Sequence, residues 1–380
     1  MRWSSAASNA PRLEDALREA TARVREGLAG ATPDLLVAFV SPHHTAGWDT
    51  LPQRLHDALG ARTLVGCSAG GVIGGRHELE EEPGLSLTAA TLPGVRVRPV
   101  RLTEPAVPAL ADDPPAALVL LPDAFTFDVD ECLRGIDAAL PGCVTLGGLA
   151  SGGRAPGGNI LLETAAAHRA GAVGIALSGD VAVDTIVAQG CRPIGDPMFV
   201  TRSERNVIHE LDGRRAAVVL QDIFARASQE DKTLFRSSLF LGVVMREDCQ
   251  QYGHGDFLIR NVLGVDPRSA SIVVGTAVRD AMVVQFHLRD ARTSAEDLEA
   301  LLARYHGQPA GALLFSCLGR GRGLYGRADH DTALFAERVG AVPLGGFFCN
   351  GEIGPIHGTT FLHGYTSAFG LFRPRGRPVS

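Results

Sequence analysis

The same succession of strand, helix, strand and glycine-rich turn occurs three times along this chain, and this recurrence constrains the fold more than any other feature. In the first copy the apolar run Leu35-Leu36-Val37-Ala38-Phe39-Val40 is too short for a typical helix and stops at Ser41-Pro42, which predicts a buried strand. A short helix over about 50–59, a strand over 63–66 and the turn GCSAGGVIGG follow, and then two strands hinged at Pro93-Gly94. The second copy begins with AALVLLP at 116–122. It continues through a helix that places Val129, Cys132, Leu133, Ile136 and Leu140 on one face, then the strand CVTLGG, the turn LASGGRAPGG and two strands, GAVGIALS and VAVDTIVAQ. The third copy has GALLFSC, a helix around Asp331 to Val339, the segment VPLGGFFCNGEIG and a long strand FLHGYTSAFGLF. The first two copies start about 80 residues apart, so the duplicated unit is larger than a solenoid repeat.

Other segments complete the plan. A helix is predicted from Asn9 to Leu28, with Leu13, Ala16, Leu17, Ala20, Val24 and Leu28 on one face and Pro11 in its first turn. A second, near Arg215 to Ala227, reads as a natural domain border. Beyond it FLIRNVL, SASIVVG and AMVVQFHLRD predict antiparallel strands, because the loops between them are too short for crossover helices. A further helix is expected from Ser294, with Asp297 three residues on as an approximate capping box. With 380 residues, more than one core is expected. The reading is an α+β fold: two layered mixed α/β domains built from repeated strand-helix-strand-glycine turn-hairpin units. Its boundaries are an N-terminal helix over 1–30, domains over 31–212 and 213–373, and a flexible tail over 374–380.

Charge and cysteine usage narrow the function classes. The net charge of -6 is spread without a long basic run, which argues against nucleic acid. Lys232 is the only lysine, so arginine clusters partly reflect composition. The seven cysteines are widely spaced and contain no Cys-x-x-Cys pair, so reduced thiols in a cytoplasm are expected, with neither a zinc site nor a disulfide framework. No apolar run approaches the length of a membrane span, and the N-terminus lacks the apolar stretch of a signal peptide. No membrane partner, metal or cofactor is expected.

Three segments have residues that could do chemistry. GCSAG at 66–70 matches the G-x-S-x-G turn that exposes a hydrolase serine, but the glycine-dense GGVIGG after it is poor material for the helix that should follow, and no histidine is assigned to Ser68 by spacing. GRGRGLYG places Gly321, Gly323 and Gly326 in G-x-G-x-x-G spacing without the acidic residue about 20 positions on that a dinucleotide site uses. Arg320, Arg322 and Arg327 there could neutralise an anion or form a solvated loop. PLGGFFCNGEIGP gathers Cys349, Asn350 and Glu352 among glycines, either as a packed turn or as backbone held against a ligand. Cys67 and Cys317 end apolar strands, where free cysteine is commonly a small buried hydrophobe.

Taken together, LVGCSAGGVIGG at 64–75, TLGGLASGG, GAVGIALSGDVAV and QGCRPIGDPMFVT in the first half, and FSCLGRGRGLYG at 315–326, PLGGFFCNGEIGP and HGYTSAFGLF at 363–372 in the second, resemble the FIST family over nearly the whole chain. The resemblance implies a sensory protein that binds small molecules, with amino acids the usual proposal, and works with a signalling partner. The family's Cys-x-x-Arg-Gly segment lands on Cys317, Arg320 and Gly321, and its Asn-Gly-Glu segment on Asn350, Gly351 and Glu352.

The expected site is therefore a pocket where the glycine-rich turns gather. In it Arg320 holds a carboxylate, Asn350 and Glu352 orient an amine or amide, Cys67, Ser68 and Tyr365 shape the wall, and Cys317, Gly321 and Gly351 belong to the ligand-binding segments that the resemblance implies. The alternatives are a hydrolase or thiol-dependent transferase using Ser68 or Cys317, and an interaction scaffold without a ligand.

Overall fold

The computed structural model describes all residues except 108–109, 111–112, 247–250, 254 and 377–380. The tail expected over 374–380 falls largely outside the described residues, as does Cys249. The chain separates into two compact units, one made of Met1–Val187 with Glu299–Ser380, the other of Ala188–Leu298.

The first repeat runs through β1 (Arg2–Ser8), α1 (Leu13–Gly27), β2 (Leu35–Val40), α2 (Leu51–Leu59), β3 (Thr63–Ser68), the hairpin β4 (Gly71–Gly74) and β5 (His77–Glu80), and β6 (Leu85–Thr91). The second consists of β7 (Val95–Leu102), β8 (Ala117–Pro122), α3 (Val129–Ala139), β9 (Val144–Gly148), the hairpin β10 (Leu161–Glu163) and β11 (Ala166–His168), and β12 (Ala172–Gly179). The third opens on β13 (Ala182–Ala188) and is then interrupted. The interruption holds β14 (Cys191–Glu204), β15 (Val207–Leu211), β16 (Arg214–Arg215), α4 (Ala216–Arg226), α5 (Gln229–Leu234), β17 (Leu239–Val244), β18 (Phe257–Asp266), β19 (Ser271–Val274) and β20 (Val283–Arg289). After α6 (Ala291–Ala303) the third repeat resumes with β21 (Gly311–Cys317), α7 (Arg322–Tyr325), α8 (His330–Arg338), β22 (Leu344–Cys349), the hairpin β23 (Glu352–Ile356) and β24 (Thr359–His363), and β25 (Ser367–Arg373).

The larger unit contains three six-stranded sheets with one shared strand order: β1-β6-β2-β3-β10-β11, β7-β12-β8-β9-β23-β24 and β13-β25-β21-β22-β4-β5. In each, the two strands flanking the repeat's helix are parallel (β2 with β3, β8 with β9, β21 with β22). The last two strands of every sheet come from a different repeat. The β4–β5 hairpin of the first joins β22 of the third, β23–β24 of the third joins β9 of the second, and β10–β11 of the second joins β3 of the first. No repeat completes a sheet by itself, so the three close on one another in a ring.

Each turn opens with a glycine for one physical reason. Gly66, Gly147 and Gly346 stand opposite Ala38, Leu120 and Leu314 in the parallel register. A Cβ at any of them would overlap the facing carbonyl oxygen.

Alternation along the central strands sorts residues between two buried layers, as the period of two in a strand requires. Leu35, Val37 and Phe39 of β2, Val119 and Leu121 of β8, and Phe315 of β21 enter one core shared by all three sheets. Leu36, Ala38 and Val40 instead pack with α1 and α2, and Leu118 and Leu120 with α3. In the smaller unit, antiparallel strands run in the order β14-β20-β17-β18-β19-β15-β16, and an added β14–β15 pairing closes the sheet on itself. The architecture is α+β, and the antiparallel strands expected at FLIRNVL, SASIVVG and AMVVQFHLRD are β18, β19 and β20. No helix among the described residues is long and apolar enough to cross a membrane.

Three local expectations are corrected. The N-terminal segment is not helix throughout: β1 precedes α1, because Trp3, Ala6 and Ala7 are small or apolar enough to be buried when the strand pairs antiparallel with β6. Pro11 therefore lies before the helix. FLHGYTSAFGLF is two strands, β24 and β25, separated at Tyr365 with φ of 67°. Finally, α6 begins before Ser294: Asp290 accepts the Thr293 amide at 2.7 Å, while the Ser294 hydroxyl donates to the Gly190 carbonyl.

Candidate functional site

The six parallel strands end on one hollow of about 630 Å³ in the larger unit. Beyond the ends of β2 and β3 stand His43 and Gly70, beyond β8 and β9 Phe125 and Ser151, and beyond β21 and β22 Leu318 and Asn350. Carboxyl ends of parallel strands are where open α/β sheets bind ligands, since their loops face outward together and leave backbone donors at hand. The β5 end adds Glu80 and Glu81, and the turn after β9 adds Arg154.

Register makes the walls equivalent: Gly70, Ser151 and Asn350 each occupy the fourth position after the glycine that faces the parallel neighbour. Glycine at 70 and 71 leaves room for the neighbouring turn: a Cβ at Gly70 would lie 2.6 Å from the end of the Leu318 side chain, and one at Gly71 2.8 Å from Phe348. Ser151 ties the three turns together. Its hydroxyl accepts the Gly70 amide at 2.9 Å and donates to the Phe348 carbonyl. The Asn350 amide in turn bonds the Leu149 carbonyl at 3.2 Å. Sequence reading did not single out Ser151; its place in LASGG, matching Gly70 in GCSAGG, was the available signal.

Of the residues expected at the site, Asn350 lines the hollow, and Cys317 is half-buried next to Leu318. Gly351 and Tyr365 lie outside the lining; the Gly351 carbonyl accepts the Leu149 amide, which joins the second and third turns. Cys67 is wholly buried in the shared core, and burial raises its thiol pKa well above the usual range. The Ser68 hydroxyl is also wholly buried. It donates to Asn159 Oδ1 at 3.0 Å and accepts the Ile160 amide at 3.0 Å, and Asn159 Nδ2 donates to Asp123 at 2.8 Å. Ser68 is thus the end of a Ser-Asn-Asp brace, with an amide where a hydrolase would place its histidine base.

Arg320 is completely buried, and the carboxylate it holds is the protein's own Asp331 in place of the expected ligand group. Its Nε donates to Asp331 Oδ2 at 2.9 Å, and its Nη2 bonds Asp331 Oδ1 at 3.3 Å and the Tyr325 hydroxyl at 2.5 Å. Ser367 and His330 also bond Asp331, at 2.6 and 2.9 Å. Burial pushes both charges toward neutrality, but their mutual attraction outweighs it, holding Arg320 above and Asp331 below their usual ranges. Beside them, buried Glu78 accepts the Thr332 amide at 2.8 Å and is pushed up to about 8, by burial first and by the charge of Asp331 second. Glu352 is buried and accepts both the Thr366 amide, at 3.1 Å, and its hydroxyl, at 2.8 Å. Gly321, with φ of 65°, is a glycine because the Glu80 carboxylate occupies the space a Cβ would take.

The smaller unit has a hollow of about 450 Å³ between β14 and α4. Its carboxylates Asp222 and Asp231 are paired with Arg214 and Arg192.

Comparison with known proteins divides the chain differently, into two consecutive segments that meet near residue 215. The FIST N domain model matches residues 34–214 and the FIST C domain model residues 216–355. The chain is 38% identical over 382 residues to uncharacterized protein Rv0628c of Mycobacterium tuberculosis, covering 98% of this chain and 100% of the relative. It is 37% identical over 385 residues to uncharacterized protein Mb0898c of Mycobacterium bovis, covering 98% and 99%. With both domain models matched in order and full-length relatives at this identity, the chain belongs to the FIST family, whose domains are associated with sensory signal transduction.

Proposed function

We propose that this protein is an intracellular sensor that receives a small molecule in the hollow at the carboxyl ends of its six parallel strands and relays occupancy to a signalling partner. One observation carries the reading: three turns distant in sequence, each shaped by an equivalent glycine, meet around a cavity whose volume suits a metabolite. Cytoplasmic placement is supported by cysteine thiols that form no disulfide among the described residues. Contact with the ligand is assigned to Asn350, Ser151, Phe125 and Leu318. Arg320 and Glu352 stand behind the wall, where their bonds to Asp331 and Thr366 brace it. A Ser68 hydrolase has no supporting geometry, since the hydroxyl is spent on Asn159 and Ile160.

A thermal-shift screen with amino acids, amines and small carboxylates tests the reading. A ligand at about 100 times its Kd stabilises the native state by about 2.7 kcal/mol. Leu318→Trp, at a side chain already 41% exposed, fills the mouth of the hollow without disturbing the core. The expected result is a shift in the native protein that this variant loses. An equal shift in both would place binding elsewhere and overturn the assignment.

A further inference from the structure

We infer that the ligand of this hollow carries a positively charged amine on an apolar body, an inference that rests on the small-ligand reading above. The apolar half of the argument comes from exposure. Among the described residues of the larger unit, the large hydrophobic side chains that stay well exposed are Phe125 and Leu318, at 40% and 41%, and both line the hollow. Apolar side chains left open to water beside a concave surface mark where a partner's apolar surface is taken up.

The charged half comes from the four ionisable groups facing the cavity: His43, Glu80, Glu81 and Arg154. Several of the chain's partly buried acids are matched to arginine, as Asp184 is to Arg373 and Asp231 to Arg192. Glu80 differs. It is half-buried, one oxygen accepts the Arg322 backbone amide at 2.8 Å, and it makes no ion pair among the described residues. Burial raises its pKa, and the Arg322 amide and the charge of Arg322 offset that rise only in part. Adjacent Glu81 is exposed and likewise makes no ion pair among the described residues; it is held at φ of 57°, a strained value for a non-glycine residue. Arg154 and Glu81 are both exposed and screened by water, whereas the half-buried Glu80 acts through a less polar medium. His43 bonds Ser41 at 3.3 Å. The field inside is therefore negative, and the charge comes from the β4–β5 hairpin alone among the three.

The probes are 2-phenylethylamine, phenylalanine and 3-phenylpropanoate, which share an aromatic body and differ in charge. Titration calorimetry on the full chain is expected to rank them amine first, zwitterion second and carboxylate last. Glu81→Gln touches no internal hydrogen bond and should weaken the amine by about tenfold, the scale of one charge-assisted hydrogen bond. Glu80→Gln keeps an oxygen for Arg322 and should weaken it at least as much. Binding of 3-phenylpropanoate as tightly as the amine, or amine affinity unchanged in both variants, overturns the amine assignment while leaving a small-ligand hollow standing. Tighter binding of phenylalanine than of the amine overturns it too, by giving Arg154 the decisive role. If no probe of any charge binds and the wider metabolite screen is also silent, both readings fall.

Discussion

Replacing Arg320 with alanine separates a structural brace from a ligand contact. Arg320 and Asp331 are both buried, and the pair is held by two hydrogen bonds from the guanidinium, at 2.9 and 3.3 Å. Removing one member of such a pair leaves its partner's charge uncompensated out of water, a loss of about 3–5 kcal/mol. In a domain of this size each kcal/mol moves the midpoint by about 2–4 °C, so the thermal midpoint of Arg320→Ala should drop by roughly 5–20 °C. The double variant Arg320→Met, Asp331→Leu removes both charges, and replacing a whole buried pair by apolar groups is often neutral. It should recover most of the loss, short of what Ser367 and His330 forfeit as their bonds to Asp331 disappear. Thermal and urea unfolding with ligand titration on the same samples makes the comparison. A midpoint unchanged in Arg320→Ala together with abolished ligand binding would refute the reasoning and restore Arg320 as the contact for a ligand carboxylate.

Three further predictions concern the same wall. Because burial and Asp331 raise the Glu78 pKa from its ordinary value to about 8, the native state holds a proton there that the unfolded chain has released. Its contribution is present below about pH 4.5 and is lost as pH rises to about 8, with a slope of up to about 1.4 kcal/mol per pH unit; Glu78→Gln should flatten that slope in urea titrations, and an unchanged slope would exclude it. Gly346→Ala forces a methyl onto the Leu314 carbonyl and should cost about 3 kcal/mol or more, measured by chemical denaturation. Cys67 and Cys349, wholly buried with raised pKa values, should resist iodoacetamide in the native protein and react only after unfolding, as peptide mass spectrometry would report.

The threefold plan was legible because apolar runs such as Leu35–Val40, bounded by Ser41-Pro42, state both length and burial locally. What escaped was set by partners far away in sequence. The β4–β5 hairpin reads as part of a glycine-rich turn because its strands are four residues each and are stabilised by β22, more than 250 residues on. β1 escaped because RWSSAAS has little strand character until β6 pairs with it. The convergence of the turns was foreseen from their shared glycines, and they do line one hollow. The roles given to Arg320 and Glu352 followed from charge alone. Nothing in the spacing of GRGRG announces that Asp331, eleven residues on and in a helix, turns that guanidinium inward.

Hydrogen exchange with and without the tightest ligand from the screen tests the shared hollow most directly. Protection should rise together in peptides covering 41–43, 70–81, 151–154 and 348–350, which are separate in sequence and meet at the carboxyl ends of the parallel strands. Protection confined to 194–231, around the hollow of the smaller unit, would contradict the account.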